Sequence, residues 1–375
     1  MHPILTACDG GLVIRWPDGI SGTFPHLWLR DTDPAGFHPT TGERAFDLTG
    51  VPLEIAPSDI AIDGDALVLR WPDSDAPSHF DLHWLKANRP GQRRPDAAAV
   101  DRIAWRGDLR ADNGTVGPPR RAADAIAEQD GALADWLAVT KQYGLSIVHG
   151  LPNDAGAGIA LARRIGHLRE TNFGRTFDVV SKADPNNLAY TADALPLHTD
   201  LTNQELPPGF QFLHCIANAA AGGGSIFCDG LAVAADLAAA DPDAFEILCS
   251  VSVPFRFHDT DTDIRARKTV LTRDAEGAVT EICFNAHIAD ILDLPSEAMP
   301  GFYRAYRLFM TMTRDPAYRI ALRLAPGEMV VFDNRRVLHG REAFDPATGL
   351  RHLRGAYVDR GDWDSRLRVL RRAAG

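Results

Sequence analysis

The chain has 375 residues, which is longer than one typical domain, so we expect two domains of unequal size. Its formal net charge of −11 argues against a nucleic acid or an anionic membrane as partner, and a small molecule is the expected partner. Five cysteines without a CxxC pair, and an amino terminus without a basic and apolar leader, favour a reducing cytoplasm. The sequence leaves open whether the chain forms a homodimer.

An internal repeat marks the first part of the chain. Residues 12–18 (LVIRWPD) recur with a single conservative change as residues 67–73 (LVLRWPD), and a Trp-Leu pair follows each copy. Each copy predicts two strands around a Pro-Asp turn and then a short turn that carries the Trp-Leu pair. We therefore expect an N-terminal β-rich repeat domain at residues 1–95, held together by its buried tryptophans.

The segment that follows, residues 96–124, is rich in Arg, Pro, Asp and Gly and predicts a linker. A second domain is expected at residues 125–375. Its periodicity predicts helices at 132–142, 158–168, 231–249 and 298–313, and strands at 144–150, 195–200, 210–216, 225–228, 253–257, 281–285, 319–324, 329–337 and 352–359. Many short strands with Gly and Pro turns predict a mainly β fold with helices packed outside, namely a double-stranded β-helix (jelly roll).

One spacing in this domain suits a metal. His198 and Asp200 are two positions apart, so a strand places both side chains on one face. The spacing is weak evidence by itself, because residues 79–81 have it too. His339 offers a third ligand in the same domain. Two imidazoles and one carboxylate on one side of an ion leave the opposite positions open, as in non-haem iron(II) oxygenases.

Arg351 lies twelve residues after His339, on the next predicted strand. A guanidinium can bind the distal carboxylate of a keto acid whose other end chelates the metal. An arginine on a strand is more often simply solvated. A barrel that binds a metal or a small ligand without turnover is therefore kept as an alternative of another class, although such a binder would not need an anchored keto acid.

A series of ordered motifs relates the chain to known enzymes. They are LWLRD (27–31), NNLAY (186–190), HTD (198–200), PPG (207–209), LHC (213–215), FDN (332–334), LHGR (338–341), RHL (351–353) and GAY (355–357). On these motifs the second domain resembles the taurine dioxygenase superfamily, and the whole chain is similar to the γ-butyrobetaine and trimethyllysine hydroxylases. The resemblance implies a catalytic iron(II) bound by His198, Asp200 and His339, with 2-oxoglutarate bound by Arg351 and dioxygen as the other co-substrate.

The resemblance also implies a substrate, a small trimethylammonium zwitterion such as γ-butyrobetaine. A trimethylammonium group cannot donate a classical hydrogen bond, so proteins hold it against aromatic faces. By resemblance an aromatic cage would consist of Phe173, Phe177, Tyr190 and Tyr357. Without the resemblance, the same aromatic residues would be read as filling a barrel core.

The other end of the substrate is less clearly defined. By resemblance, the side-chain amides of Asn187 and Asn285 would hold the anion. The chain departs from the family in the polar run of residues 202–204, and His287 is a further donor near this site. More donors would suit a head group with more oxygens, so 2-trimethylaminoethylphosphonate is kept as an alternative substrate.

The first domain also departs from the family. Some relatives bind structural zinc there through clustered cysteines, whereas this chain has TDPAGFH at residues 32–38, and Cys8 is the domain's only cysteine. Zinc prefers a closed tetrahedral set of thiolates and imidazoles. We therefore expect no structural zinc.

Overall fold

The computed structural model describes residues 3–181 and 191–374. The chain divides into two units, Met1–Pro95 and Asp96–Gly375. No helix within the described ranges has both the length and the apolar character that crossing a bilayer requires.

The first unit contains two copies of one motif, a three-stranded antiparallel sheet followed by a short helix. The elements are β1 (Ile4–Cys8), β2 (Gly11–Arg15), β3 (Ser21–Pro25), α1 (His26–Asp31), β4 (Asp59–Asp63), β5 (Ala66–Arg70), β6 (Ser78–Asp81) and α2 (Leu82–Ala87). The sequence predicted two strands in each copy. It missed β1 and β4, neither of which contains a fully buried residue, although Leu5, Ile60 and Ile62 pack partly against the core.

Apolar packing and one polar cluster stabilise this unit. The rings of Trp28 and Trp84, one from each copy, stack with centroids 6.1 Å apart. Where the sequence lacks the zinc-binding cysteines, Asp33 is buried, pairs with Arg30 at 3.4 Å and accepts a hydrogen bond from the Ser78 hydroxyl. The expected absence of zinc stays a prediction.

The second unit mixes strands and helices. In chain order they are β7 (Arg120–Ala122), α3 (Ala123–Glu128), α4 (Asp130–Tyr143), β8 (Leu145–His149), α5 (Ala157–Arg163), β9 (Thr176–Val179), β10 (Leu195–His198), β11 (Phe210–Asn218), β12 (Ala221–Gly222), β13 (Ser225–Asp229), α6 (Gly230–Ala240), α7 (Pro242–Ser250), β14 (Val253–His258), β15 (Asp263–Lys268), β16 (Leu271–Arg273), β17 (Val279–Ile282), α8 (Met299–Arg314), β18 (Arg319–Leu322), β19 (Met329–Asp333), β20 (Val337–Arg341), β21 (Phe344–Asp345), β22 (Arg351–Val358) and α9 (Arg360–Ala374).

Two sheets organise this unit. One has six strands in the order β7-β8-β19-β11-β22-β9, and the other has four in the order β10-β20-β13-β18. Side chains alternate along β19, so Met329 and Val331 join the core beneath the helices, whereas Val330 and Phe332 join a second core with residues of the four-stranded sheet, such as Phe227. The inward face of each sheet therefore meets the other sheet, and the site described below lies on these inward faces.

Three local differences from the sequence predictions have physical causes. The predicted strand 329–337 is two strands, because a turn at residues 334–336 reverses the chain. The predicted helix 231–249 is two helices, since Asp241 caps a new helix that begins with Pro242. Helix α9 was not predicted, since nearly half of its residues are charged, although Trp363, Leu367 and Leu370 are buried at helical spacing.

Residues 96–124, predicted as a linker, lie in the second unit. Trp105 and Leu109 are buried there in the core between the sheets. The Trp105 indole donates a hydrogen bond to the carbonyl of Tyr143 at 2.7 Å. Side chains of this segment are thus anchored in the unit that follows.

Candidate active site

Two neighbouring strands bring two histidines together. His198, the last residue of β10, lies directly opposite His339 on β20, and their ring centroids are 4.3 Å apart. Gly340 lets the strands approach closely, because a Cβ there would lie 2.5 Å from the Leu195 carbonyl oxygen. Local pairing therefore sets the distance between the two imidazoles.

Asp200 reaches the same place from just beyond the strand. Its backbone is held by the buried side chain of Asn334, which accepts from Asp200 N at 2.7 Å and donates to Asp200 O at 3.1 Å. Leu201 then turns the chain with a positive φ of 57°. The carboxylate oxygen Oδ1 of Asp200 lies 3.1 Å from Nε2 of His198 and 3.6 Å from Nε2 of His339.

These three residues fit a metal ion. One ligand atom from each residue lies within 4.8 Å of the others. Among the described residues, no other group of three histidine, cysteine or acidic side chains meets this distance. Nδ1 of His198 lies 2.9 Å from the Pro196 carbonyl, which places the proton on Nδ1 and leaves the Nε2 lone pair for a metal. Two neutral imidazoles and one carboxylate are the donor set that non-haem iron(II) prefers.

Electrostatics keep the ligands in metal-binding form. Burial would raise the pKa of the Asp200 carboxyl, but His339, His198 and a hydrogen bond from Tyr357 hold this pKa well below its usual range. Burial lowers the pKa of His339 to about 3. The Tyr357 hydroxyl donates to Oδ2 of Asp200 at 2.7 Å, so Oδ1 remains directed at the histidines.

The three residues open into a cavity of about 380 Å³. Its lining includes all the predicted site residues that the structure describes, together with some that the sequence did not single out: Phe173, Phe177, His198, Asp200, Asn203, Gln211, Arg256, Phe257, Asn285, His287, His339, Arg341, Arg351 and Tyr357. Asn187 and Tyr190, also predicted site residues, lie outside the described residues.

Arg351 is a buried cation that lines this cavity. Its Nε donates to the Gly223 carbonyl at 3.2 Å, and among the described residues no carboxylate pairs with it. Burial and the neighbouring Arg341 lower the pKa of Arg351 to about 10. A buried guanidinium without a counter-ion is costly, so the site is suited to an anionic ligand.

Strand β22 carries both this cation and an aromatic residue of the cavity wall, far apart along the strand. Arg351 and Tyr357 are six positions apart on the same face of β22, which corresponds to about 20 Å along a strand. The Tyr357 ring packs against Phe177 with centroids 5.1 Å apart. Phe177 occupies the space above Gly355, since a Cβ on Gly355 would lie 2.2 Å from that ring.

A second aromatic pair lines the same cavity. Phe173 and Phe257 meet edge to face with centroids 5.3 Å apart. Phe257 was not predicted as a site residue. The sequence does place it on a strand of alternating apolar residues, but nothing local distinguishes a side chain that faces a cavity from one that faces a core.

The polar residues predicted near the substrate anion differ in how many of their side-chain atoms are already hydrogen-bonded within the protein. The Asn285 amide is largely used within the protein, because Nδ2 donates to Thr199 O at 3.2 Å and Oδ1 accepts from His287 N at 3.1 Å. In the polar run, Gln204 pairs with Arg169 at 3.2 Å. Asn203 is fully buried, and both polar atoms of its amide lack a partner among the described residues.

Comparisons with known proteins agree with this geometry. The model of the family described as "Taurine catabolism dioxygenase TauD, TfdA family" matches residues 114–357. The chain is 41% identical to the γ-butyrobetaine dioxygenase of Pseudomonas sp. (strain AK-1), over 99% of this chain and 97% of that protein. It is 31% identical to the human γ-butyrobetaine dioxygenase, over 97% of this chain and 96% of that protein.

A solved structure shares the fold. The crystal structure of AAD-2 in complex with Mn(II) and N-oxalylglycine matches with a TM-score of 0.50 and 14% identity, over 62% of this chain and 90% of that chain. The predicted family and enzyme class are confirmed, and the alternative of a non-catalytic barrel is not favoured. The chain belongs to the TauD, TfdA family and is an iron(II)- and 2-oxoglutarate-dependent dioxygenase.

Proposed function

We propose that the protein hydroxylates a small trimethylammonium zwitterion of the γ-butyrobetaine type. The observation that carries this proposal is the 41% identity to a γ-butyrobetaine dioxygenase over 99% of the chain, which includes the repeat motif of the first unit as well as the second unit. The phosphonate analogue, 2-trimethylaminoethylphosphonate, is not favoured by these relatives and becomes an outcome of the test.

In this proposal His198, Asp200 and His339 hold iron(II) through two Nε2 atoms and one carboxylate oxygen. Iron(II) with 2-oxoglutarate and dioxygen supplies the oxidising chemistry, in which one oxygen atom enters a substrate C–H bond and the other enters succinate as carbon dioxide is lost. Tyr357 keeps the second oxygen of Asp200 hydrogen-bonded, so the carboxylate presents a single oxygen to the metal.

Arg351 binds the distal carboxylate of 2-oxoglutarate in the proposed arrangement. Support comes from its burial, its position on the cavity wall and the absence of a carboxylate partner in the described residues. Nε is held by Gly223 O, so the guanidinium can present its two terminal nitrogens to the ligand.

The cation of the substrate lies against Phe173, Phe177 and Tyr357, with Tyr190 as the fourth proposed member of the cage. Two of these rings, Phe177 and Tyr357, are in contact, and all three described rings line the cavity. Aromatic faces attract a trimethylammonium group without needing a hydrogen bond. Asn187 and Asn285 are proposed at the anionic end.

The proposed function also agrees with the architecture that the sequence predicts. We infer that the six-stranded and four-stranded sheets form a double-stranded β-helix within an oxygenase domain at residues 125–375, that the linker at residues 96–124 packs onto this domain and adds β7 to its sheet, and that residues 1–95 are a separate repeat domain. Support comes from the core between the sheets, to which both contribute.

The test supplies the protein with iron(II), 2-oxoglutarate and dioxygen, and compares three substrates at equal concentration. They are γ-butyrobetaine, 2-trimethylaminoethylphosphonate and the uncharged-head analogue 5,5-dimethylhexanoate. Succinate and the hydroxylated product are quantified by mass spectrometry. We expect γ-butyrobetaine to give both products in equal amounts. A preference for the phosphonate would correct the anion, whereas a preference for the uncharged analogue would remove the cage.

A further inference from the structure

His287 lies in a firmly held segment that follows β17. Its backbone N–H donates to Oδ1 of Asn285 at 3.1 Å. The next residue, Ile288, accepts from Arg256 N at 2.8 Å, and Asp290 N donates to Pro254 O at 2.8 Å. These bonds attach the segment to β14, so the His287 side chain has a defined place on the cavity wall.

The imidazole of His287 lies beside the metal site with a free nitrogen. Its ring centroid is 5.7 Å from that of His198. The Nε2 atom is buried and has no hydrogen-bond partner among the described residues. A buried polar atom without a partner costs free energy, and a bound ligand in the cavity can satisfy it.

The cavity wall carries further polar groups. Arg256 of β14 lines the cavity and pairs with Asp263 at 2.8 Å. Elsewhere on the wall, Oε1 of Gln211 is an acceptor that has no partner among the described residues.

Strand pairing places this acceptor beside the proposed cage. Gln211 lies directly opposite Tyr357 in the pairing of β11 with β22, so both side chains share one face. Tyr357 in turn contacts Phe177 and Asp200. A zwitterion whose cation lies at these rings has its anion available for Nε2 of His287 on the same cavity wall.

We propose that His287 is the specificity-determining residue for the anionic end of the substrate, and that Nε2–H of its imidazole donates a hydrogen bond to the substrate carboxylate. Asn285 lies at the same end of the substrate and also positions His287, because its Oδ1 accepts from His287 N. This inference rests on the proposed function. The ring form that carries its proton on Nε2 is the one that can donate to a carboxylate.

The test compares His287→Leu, which removes the donor, with His287→Gln, whose amide reaches about as far as Nε2. Substrates are γ-butyrobetaine and its carboxamide, in which a neutral amide replaces the carboxylate. For His287→Leu we expect the KM for γ-butyrobetaine to rise about tenfold or more, as for loss of a hydrogen bond to a charged group. His287→Gln should recover most of this loss, and the KM for 2-oxoglutarate should not change.

The ratio of the two substrates separates recognition from a merely structural role. Wild-type protein should prefer the carboxylate to the carboxamide, and this preference should collapse in His287→Leu. The control is His258→Leu, a solvent-exposed histidine at the same cavity, which should keep the preference. If His287→Leu unfolds, as judged by circular dichroism, His287→Asn takes its place, because its shorter side chain fits but does not reach.

Two results would overturn different claims. An unchanged KM, or equal losses for carboxylate and carboxamide in the His287 variants, would remove the proposed role of His287 and leave the function intact. Wild-type protein that forms succinate with neither substrate, yet turns over another compound, would remove the proposed function and the role of His287 with it.

Discussion

Asn334 clamps the backbone of Asp200 through two hydrogen bonds, one accepted from Asp200 N at 2.7 Å and one donated to Asp200 O at 3.1 Å. The two residues are 134 positions apart in sequence. Asn334 is fully buried in the turn between β19 and β20, and it also donates to Pro208 O at 3.3 Å. The position of the carboxylate therefore depends on a side chain that does not itself belong to the ligand set.

The first prediction follows from this clamp. Asn334→Ala leaves Asp200 in place but no longer oriented, so we expect iron affinity to fall about 10- to 100-fold, as for the loss of residues that orient metal ligands. The measurement is the iron(II) concentration that gives half-maximal succinate formation. Saturating iron should restore most of kcat. Asn113→Ala, in an exposed turn, is the control, and an equal iron requirement in both variants would contradict the prediction.

The metal ligands could be predicted from sequence because they obey local rules. His198 and Asp200 are two positions apart, and His339 lies in a recognisable motif. Asn334 lies within the FDN motif, but its role could not be predicted, because the apolar residues around it indicate one unbroken strand at residues 329–337. The two hydrogen bonds that define that role join distant segments, and no local periodicity records them.

Substrate-facing residues show the same limit. Phe173 and Phe177 were predicted by resemblance, yet their contact partners Phe257 and Gly355 were not. Whether an inward-facing side chain meets a cavity or a core depends on what the opposite sheet contributes. That information lies in the three-dimensional packing and not in the spacing along one strand.

The second prediction concerns Gly355. A methyl group at this position would overlap the Phe177 ring, with a Cβ only 2.2 Å from the nearest ring atom. Gly355→Ala should displace Phe177 from Tyr357 and weaken cation binding by about 1 to 2 kcal/mol, or roughly 5- to 30-fold in the KM for γ-butyrobetaine. Gly361→Ala is the matched control, because nothing lies within 4 Å of its Cβ. Equal KM values in the two variants would argue against a role for Phe177 in the cage.

The third prediction concerns Arg351, which is 5% exposed and lacks a carboxylate partner in the described residues. Arg351→Met should remove most of the thermal stabilisation that 2-oxoglutarate with Mn(II) gives to the wild-type protein, since the anchor of the distal carboxylate is lost. The protein without ligands should be at least as stable as wild type, because a buried unpaired charge has been replaced by an apolar side chain.

Thermal unfolding with and without both ligands measures this effect. Arg351→Lys serves as the comparison, since an ammonium keeps the charge but not the bidentate geometry, and an intermediate shift is expected. A full ligand-induced shift in Arg351→Met would mean that a different residue holds 2-oxoglutarate. A large loss of stability without ligands would mean that Arg351 is mainly structural.

The last prediction concerns the buried ion pair of Arg336 and Asp229. Nε of Arg336 donates to one carboxylate oxygen at 3.0 Å and Nη2 to the other at 2.8 Å, and both side chains are almost completely buried. Nη1 and Nη2 also bond the carbonyls of Gln142 and Ile103 at 2.9 and 2.5 Å. One side chain thus joins β13, the end of α4 and the segment at residues 96–124.

Arg336→Ala leaves the Asp229 carboxylate buried without its partner, so the free energy of unfolding should fall by about 3 to 5 kcal/mol. The measurement is urea unfolding followed by tryptophan fluorescence. Arg120→Ala is the control, because the ion pair of Arg120 with Glu328 is partly exposed and should contribute less than about 1 kcal/mol. The Arg336→Ala protein that remains folded should keep its KM for both substrates, since Arg336 does not line the cavity. Similar losses of stability in the two variants would show that burial does not distinguish these ion pairs.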